Sequence, residues 1–188
     1  MINLNKIKRF LSKDEIRPAL QNFYVNDGKI YATSAHHMVV TPIELPAGCY
    51  DRNLITIFPS KVKDGITYYK DAKGNEFKRP DFENVIKSSY GKGQTNFESC
   101  NELLEKVGQY NRKDLKGCFF RTEIGVFNAI YLKDIADVFS KSKNVTCTIG
   151  QSYGRSFAPI FDDGFTKALI MPLIGMYEDS EWKKFIKI

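Results

Sequence analysis

Apolar side chains at the start of the chain fall at Leu4, Ile7, Phe10 and Leu11. That spacing predicts an amphipathic helix over residues 3–12. Lys6, Lys8 and Arg9 lie on its other faces, either as a solvated surface or as cations facing a phosphate backbone. The period then changes. Residues 17–26 and 29–40 read as strands on either side of Asp27-Gly28, a strong hairpin signal in that setting. Pro42 and the Pro46-Ala47-Gly48 run end that sheet. A short β-branched strand at 54–58 stops at Pro59, and another at 66–69 precedes a turn over 71–75. Residues 87–95, KSSYGKGQT, are small, polar and glycine-rich, the composition of a linker.

Beyond it, residues 97–110 place Leu103, Leu104 and Val107 on one helical face. Residues 128–140 form a second helix, with Ile130, Leu132, Ile135, Val138 and Phe139 apolar and Asn128 placed to cap it. Three strands follow at 145–149, 156–161 and 168–173, with turns at 152–154 and 162–164. Between residues 110 and 127 there is room for one short strand. Residues 178–188 read as an amphipathic tail with Trp182, Phe185 and Ile186 on a helical face. Helices alternating with antiparallel strands give an α+β fold.

Composition adds limits. With 188 residues, 43% of them hydrophobic, the chain can build one ordinary core or two small ones. It has no apolar run long enough for a membrane helix and no signal-peptide pattern, so a cytoplasmic protein with no membrane partner is expected. Cys49, Cys100, Cys118 and Cys147 lack zinc spacing and are expected to be reduced, buried thiols. The net charge of +6 leans mildly towards polyanionic partners.

Catalytic chemistry has little to stand on. His36 and His37 are the only histidines, and as strand neighbours they would point to opposite faces and could not share a metal. Residues 88–93 lack the spacing of a phosphate loop, and Asp162-Asp163-Gly164 reads as a β-turn. No catalytic residue, metal or cofactor is expected. A small hydrolase or nuclease built on His36 or His37 is the remaining enzymatic reading.

Four segments, in order, resemble one family. RPALQNFYVNDGKIYATSAHHMVV (17–40) is similar to the hairpin and "T-D-G-H-R-L" segment of the bacterial replicative sliding clamp, the β subunit of DNA polymerase III. RPDFENVI (79–86) resembles its "Y-P-D-Y-x-x-V-I" connector between middle and last domains. FNAIYLKDIADVF (127–139) is similar to its "F-N-x-x-Y-L-x-D-x-L" helix, and ALIMPLIG (168–175) to its "x-V-M-P-M-R-L" strand. Ser34, Ala35, His37, Asn84 and Ile174 depart from the family pattern. The helix expected after Lys61 is missing.

The resemblance implies a DNA-clamp-like fold, with helices packed on antiparallel sheets. Two reduced clamp-type domains are expected at 1–86 and 96–176, joined by the linker 87–95 and followed by a tail, 177–188. The alternative is a single clamp-type domain from 1–45 and 127–175, with 46–126 inserted. It also implies a groove for peptides of polymerase or other replication proteins, formed by Leu20, Thr33, Ala35, His36, His37, Met38, Pro80, Asn84, Val85, Leu169, Met171, Pro172 and Leu173. Duplex DNA, held without regard to sequence, would meet Lys6, Lys8, Arg9, Lys13, Arg17, Lys106, Arg112 and Lys113. A two-domain chain would close a ring as a trimer. The rival reading is a monomeric clamp-fold adaptor that binds peptides and no DNA.

Overall fold

The computed structural model describes residues 3–90, 93–152, 155–156, 158–173 and 184–188. The chain forms two compact units, Met1–Glu83 and Asn84–Ile188.

In the first unit the predicted amino-terminal helix is present but short. Helix α1 (Leu4–Ile7) starts at Asn3, whose side chain accepts from the Asn5 N–H, and tightens into a 3-10 turn at Lys8–Phe10. Ile7, Phe10 and Leu11 are buried. Strands β1 (Phe23–Asn26) and β2 (Lys29–Thr33) pair around Asp27 and Gly28, with φ of 48° and 68°. Positive φ at both central residues is what a two-residue type I′ turn requires, and it matches the twist of the flanking strands.

The strand expected over 29–40 is two strands. It breaks at residues 34–36, and β3 (His37–Pro42) returns antiparallel to β2. Ala35 sits at φ 73° in that turn, a left-handed conformation that strains any residue with a Cβ. Strands β4 (Gly48–Tyr50) and β5 (Thr56–Ile57) complete a sheet in the order β3-β2-β1-β4-β5.

Residues 61–78 hold a second, three-stranded sheet. Strands β6 (Lys61–Lys63), β7 (Ile66–Lys70) and β8 (Glu76–Lys78) are antiparallel neighbours. Asp64 and Gly65, at φ of 52° and 74°, repeat the turn of Asp27-Gly28.

In the stretch read as a linker, 87–95, the described residues are regular structure, and residues 91 and 92 lie outside them. Helix α2 (Phe82–Tyr90) takes in Ser88–Tyr90, and strand β9 (Gly93–Asn96) follows. Small polar residues do not forbid a helix when packing holds its ends. Phe82 is 1% exposed in the first unit. In the second, the last helical turn meets Gly150 so closely that a Cβ there would lie 2.2 Å from the Ser89 carbonyl oxygen. A glycine inside a strand often marks such an approach.

The second unit contains helix α3 (Cys100–Gly108), which buries Cys100, Leu103, Leu104 and Val107 as its periodicity predicts. Two strands, not one, follow: β10 (Cys118–Thr122) and β11 (Gly125–Asn128). Asn128 then caps helix α4 (Ala129–Val138), its side chain accepting from the Ile130 N–H at 3.0 Å. Strands β12 (Thr146–Ser152), β13 (Arg155–Ser156), β14 (Ile160–Asp162) and β15 (Lys167–Ile170) form an antiparallel sheet, with β9 also pairing β12. The tail differs from expectation. Its described part is a strand, β16 (Lys184–Lys187), lying parallel against β10; Trp182 is outside the described residues.

All four cysteines are buried free thiols. Burial pushes the Cys49 thiol up to about 12. A hydrogen bond with Cys100, then burial, also raises that of Cys147. Such thiols pack as small hydrophobes and stay protonated.

Candidate functional site

Residues 33–37 form one hydrogen-bonded turn. The Thr33 hydroxyl donates to the His37 carbonyl at 3.0 Å and accepts from the Ala35 N–H at 3.1 Å. The Ser34 hydroxyl lies 2.7 Å from His37 Nδ1 and 3.4 Å from the His36 N–H. These bonds hold Ala35 in its strained conformation. They also separate the histidines by environment, where a continuous strand would have set them on opposite faces. His36 is exposed at the tip. His37 is 2% exposed and stacks on Phe10 at 4.4 Å between centroids.

Leu20 and Pro80, distant in sequence, line the same cavity of about 610 Å³ in the first unit. The 3-10 turn Pro18–Leu20 forms one wall and the segment after β8 the other. Ile16, Ile66 and Phe77 add apolar surface, and Ile16 is 89% exposed. The wall at Arg79 is firm. Its guanidinium bonds both oxygens of Glu83, at 2.8 and 2.5 Å, and lies 5.1 Å from the Tyr31 ring and 5.0 Å from the Phe82 ring. The Arg79 hydrogen bond holds the Glu83 carboxyl below its ordinary range. Sequence reading passed over Ile16, Ile66, Phe77 and Arg79.

The other groove candidates differ in what they offer. Met38 and Leu169 are each 3% exposed and belong to the cores of their units. Asn84 is exposed on α2, with Val85 beside it at 45% exposure. Met171 is 52% exposed, and Pro172 and Leu173 are half-buried. The Leu173 N–H donates to the Val126 carbonyl at 2.8 Å, which ties this segment to β11.

Among the proposed DNA-facing cations, Arg112 is held in an ion pair. It lies at the start of a 3-10 turn and forms a two-pronged bond to Asp134 at 2.7 and 3.0 Å. Asp134 is 0% exposed, so Arg112 serves as the counter-charge of a buried carboxylate. Lys106 pairs with Glu102 at 2.7 Å and Arg17 with Asp14 at 3.6 Å, both at exposed positions. Lys13 and Lys113 are exposed, as is Arg9, while Lys6 and Lys8 are half-buried.

Among the described residues, no three His, Cys, Asp or Glu side chains come together to hold a metal ion. No helix among them is long and apolar enough to cross a membrane.

Taken together, these elements make an α+β protein with helices packed on antiparallel sheets. No protein-family model and no curated protein matches the chain in sequence. Solved structures match it in fold. The DNA polymerase III β chain of Streptococcus pneumoniae superimposes with a TM-score of 0.52 at 14% identity, over 94% of this chain and 63% of its own. A putative β subunit from Eubacterium rectale gives 0.51 at 12% identity, over 94% and 63%. The Bartonella birtlesii sliding clamp bound to griselimycin gives 0.50 at 13%, over 90% and 62%. The chain thus spans less than two thirds of the length of these proteins and resembles a shortened sliding clamp.

Proposed function

We propose that the protein is a non-enzymatic, sliding-clamp-like scaffold that holds short peptides of a polymerase or another replication protein in the cytoplasm. Each unit would be a reduced clamp-type domain. One observation carries the reading. Leu20 and Pro80, two positions that the family resemblance assigns to a client groove, line a single partly apolar cavity. Leu, Ile, Phe and Pro walls suit the hydrophobic anchors of a short motif, and a salt-bridged Arg79 keeps one wall in place. The structural neighbours are consistent with this, since one of them is a sliding clamp bound to griselimycin.

The test is fluorescence anisotropy with a labelled clamp-binding peptide carrying two apolar anchors. Binding at roughly micromolar Kd is expected, with Leu20→Glu weakening it by at least about tenfold, or about 1.4 kcal/mol. Affinity no better than that of a scrambled peptide would overturn the reading.

A second reading adds DNA. Lys6, Lys8, Arg9, Lys13 and Arg17 fall within one short stretch of the first unit. Cations of this kind bind phosphates without regard to sequence and lose affinity steeply with salt. A ring of two-unit chains would need three copies. Light scattering with and without a short duplex tests both points. A trimer, or a complex that dissolves at high salt, supports a DNA-holding clamp; a monomer indifferent to DNA leaves the peptide scaffold alone.

A further inference from the structure

The three-stranded sheet β6-β7-β8 has two unlike faces. Alternation along β7 sends Thr67 and Tyr69 to one side and Ile66, Tyr68 and Lys70 to the other. The first side packs inward, where the buried Tyr69 ring lies 5.7 Å from that of Phe77. On the second side the register sets Lys61 and Lys78 on either side of Tyr68, Lys63 beside Ile66, and Glu76 beside Lys70. That face therefore carries four lysines and one carboxylate.

Glu76 is neutralised by Lys61, whose ammonium lies 2.5 Å from its carboxylate and 5.1 Å from the centre of the Tyr68 ring. Lys63, Lys70 and Lys78 are exposed and have no carboxylate partner among the described residues. Same-face neighbours along a strand are about 6.7 Å apart, and adjacent strands about 4.8 Å. Charges act over roughly 10 Å at 0.1 M salt, so lysines on such a lattice repel one another and jointly attract an anion.

This cationic face is continuous with the peptide groove. Ile66, Glu76 and Lys78 belong to both, because they also line the cavity of Leu20 and Pro80. A peptide anchored at Leu20 and Pro80 and continuing past Ile66 runs onto the lysines. A basic continuation meets repulsion there, and an acidic one meets its counter-charges.

We propose that the outer face of β6-β7-β8 is a second subsite of the groove, and that it takes acidic residues flanking the apolar anchors of the client peptide. The assignment rests on the peptide-scaffold reading of the groove. The anchors supply affinity, and the lysines supply selectivity and a faster encounter.

The test compares labelled peptides that share the two apolar anchors and carry three aspartates, three serines or three lysines, placed before or after the anchors. In low salt the better-placed aspartate peptide is expected to bind the unaltered chain about tenfold more tightly than its serine counterpart, the size expected of two or three exposed ion pairs. The lysine peptide should bind more weakly than the serine one. In about 1 M salt, where charges are screened beyond about 3 Å, the three should converge. Lys63→Glu with Lys70→Glu, both at exposed positions, is expected to reverse the order, so that the lysine peptide binds best. A loss of packing would weaken all three peptides alike and could not reverse them. Equal binding of the three, above that of a scrambled control, overturns the proposal and leaves the groove standing; binding no better than the control overturns both. A preference for aspartate that survives the double variant also overturns it. So does a short single-stranded oligonucleotide that binds the unaltered chain and not the variant while the aspartates add nothing, which would make the face a nucleic-acid surface.

Discussion

Replacing Phe82 by alanine is expected to lower the unfolding free energy by about 4 kcal/mol, near the middle of the range for deleting a buried phenyl ring. Phe82 opens α2 and is 1% exposed. Its ring lies 5.6 Å from Tyr24 and 5.1 Å from Tyr31, and the Arg79 guanidinium is 5.0 Å away. Truncation removes the apolar burial, two aromatic contacts and the seat of the guanidinium at once. Neighbours drawn from β1, β2 and the segment before the helix cannot all collapse into the gap. Urea unfolding followed by circular dichroism measures the loss. A change below about 1 kcal/mol, ordinary for a surface position, would mean that the ring is not the anchor described.

Replacing Arg112 by alanine is expected to destabilise the protein by about 3 kcal/mol, at the low end for breaking a buried pair because the arginine side chain is itself 38% exposed. The cost lies in the carboxylate left behind. Asp134 is 0% exposed, and its charge would remain buried without the guanidinium that offsets it. Lysine at 112 should recover only part of the loss, since a point charge cannot make the two-pronged bond. The same urea experiment reads both variants. If Arg112→Ala left stability intact but weakened DNA binding, the residue would be a phosphate contact after all.

Local signals carried much of the fold. Asp27-Gly28 between strand-like runs gave a hairpin, because its turn type demands φ above zero at both positions. The helix after Asn128 was legible from both its cap and its apolar spacing. Asp64-Gly65 carried the same hairpin signal and was passed over, since flanking residues 61–63 and 66–70 are lysine- and tyrosine-rich and only partly buried. The turn at Ala35 was hidden because Ser-Ala-His is not a turn sequence; side-chain hydrogen bonds from Thr33 and Ser34 make it one. Residues 87–95 looked like a linker because nothing local shows that Gly150 leaves room for the end of α2.

The tail was misread for a related reason. Phe185 and Ile186 fit a helical face as well as a strand, and the choice was made by a distant partner, β10. In the candidate site, family likeness pointed to Leu20 and Pro80, which share a cavity. Burial of Met38 and Leu169 could not be read from a pattern in which groove and core use the same residue types.

The central claim, a client groove at Leu20 and Pro80, is tested most directly by photo-crosslinking. A clamp-binding peptide with a benzophenone at one apolar anchor is irradiated with the unaltered protein, and the adducts are located by mass spectrometry. The account predicts adducts within residues 16–20 and 76–81, suppressed by excess unlabelled peptide. Adducts confined to other segments, or equal labelling by a scrambled peptide, would contradict it.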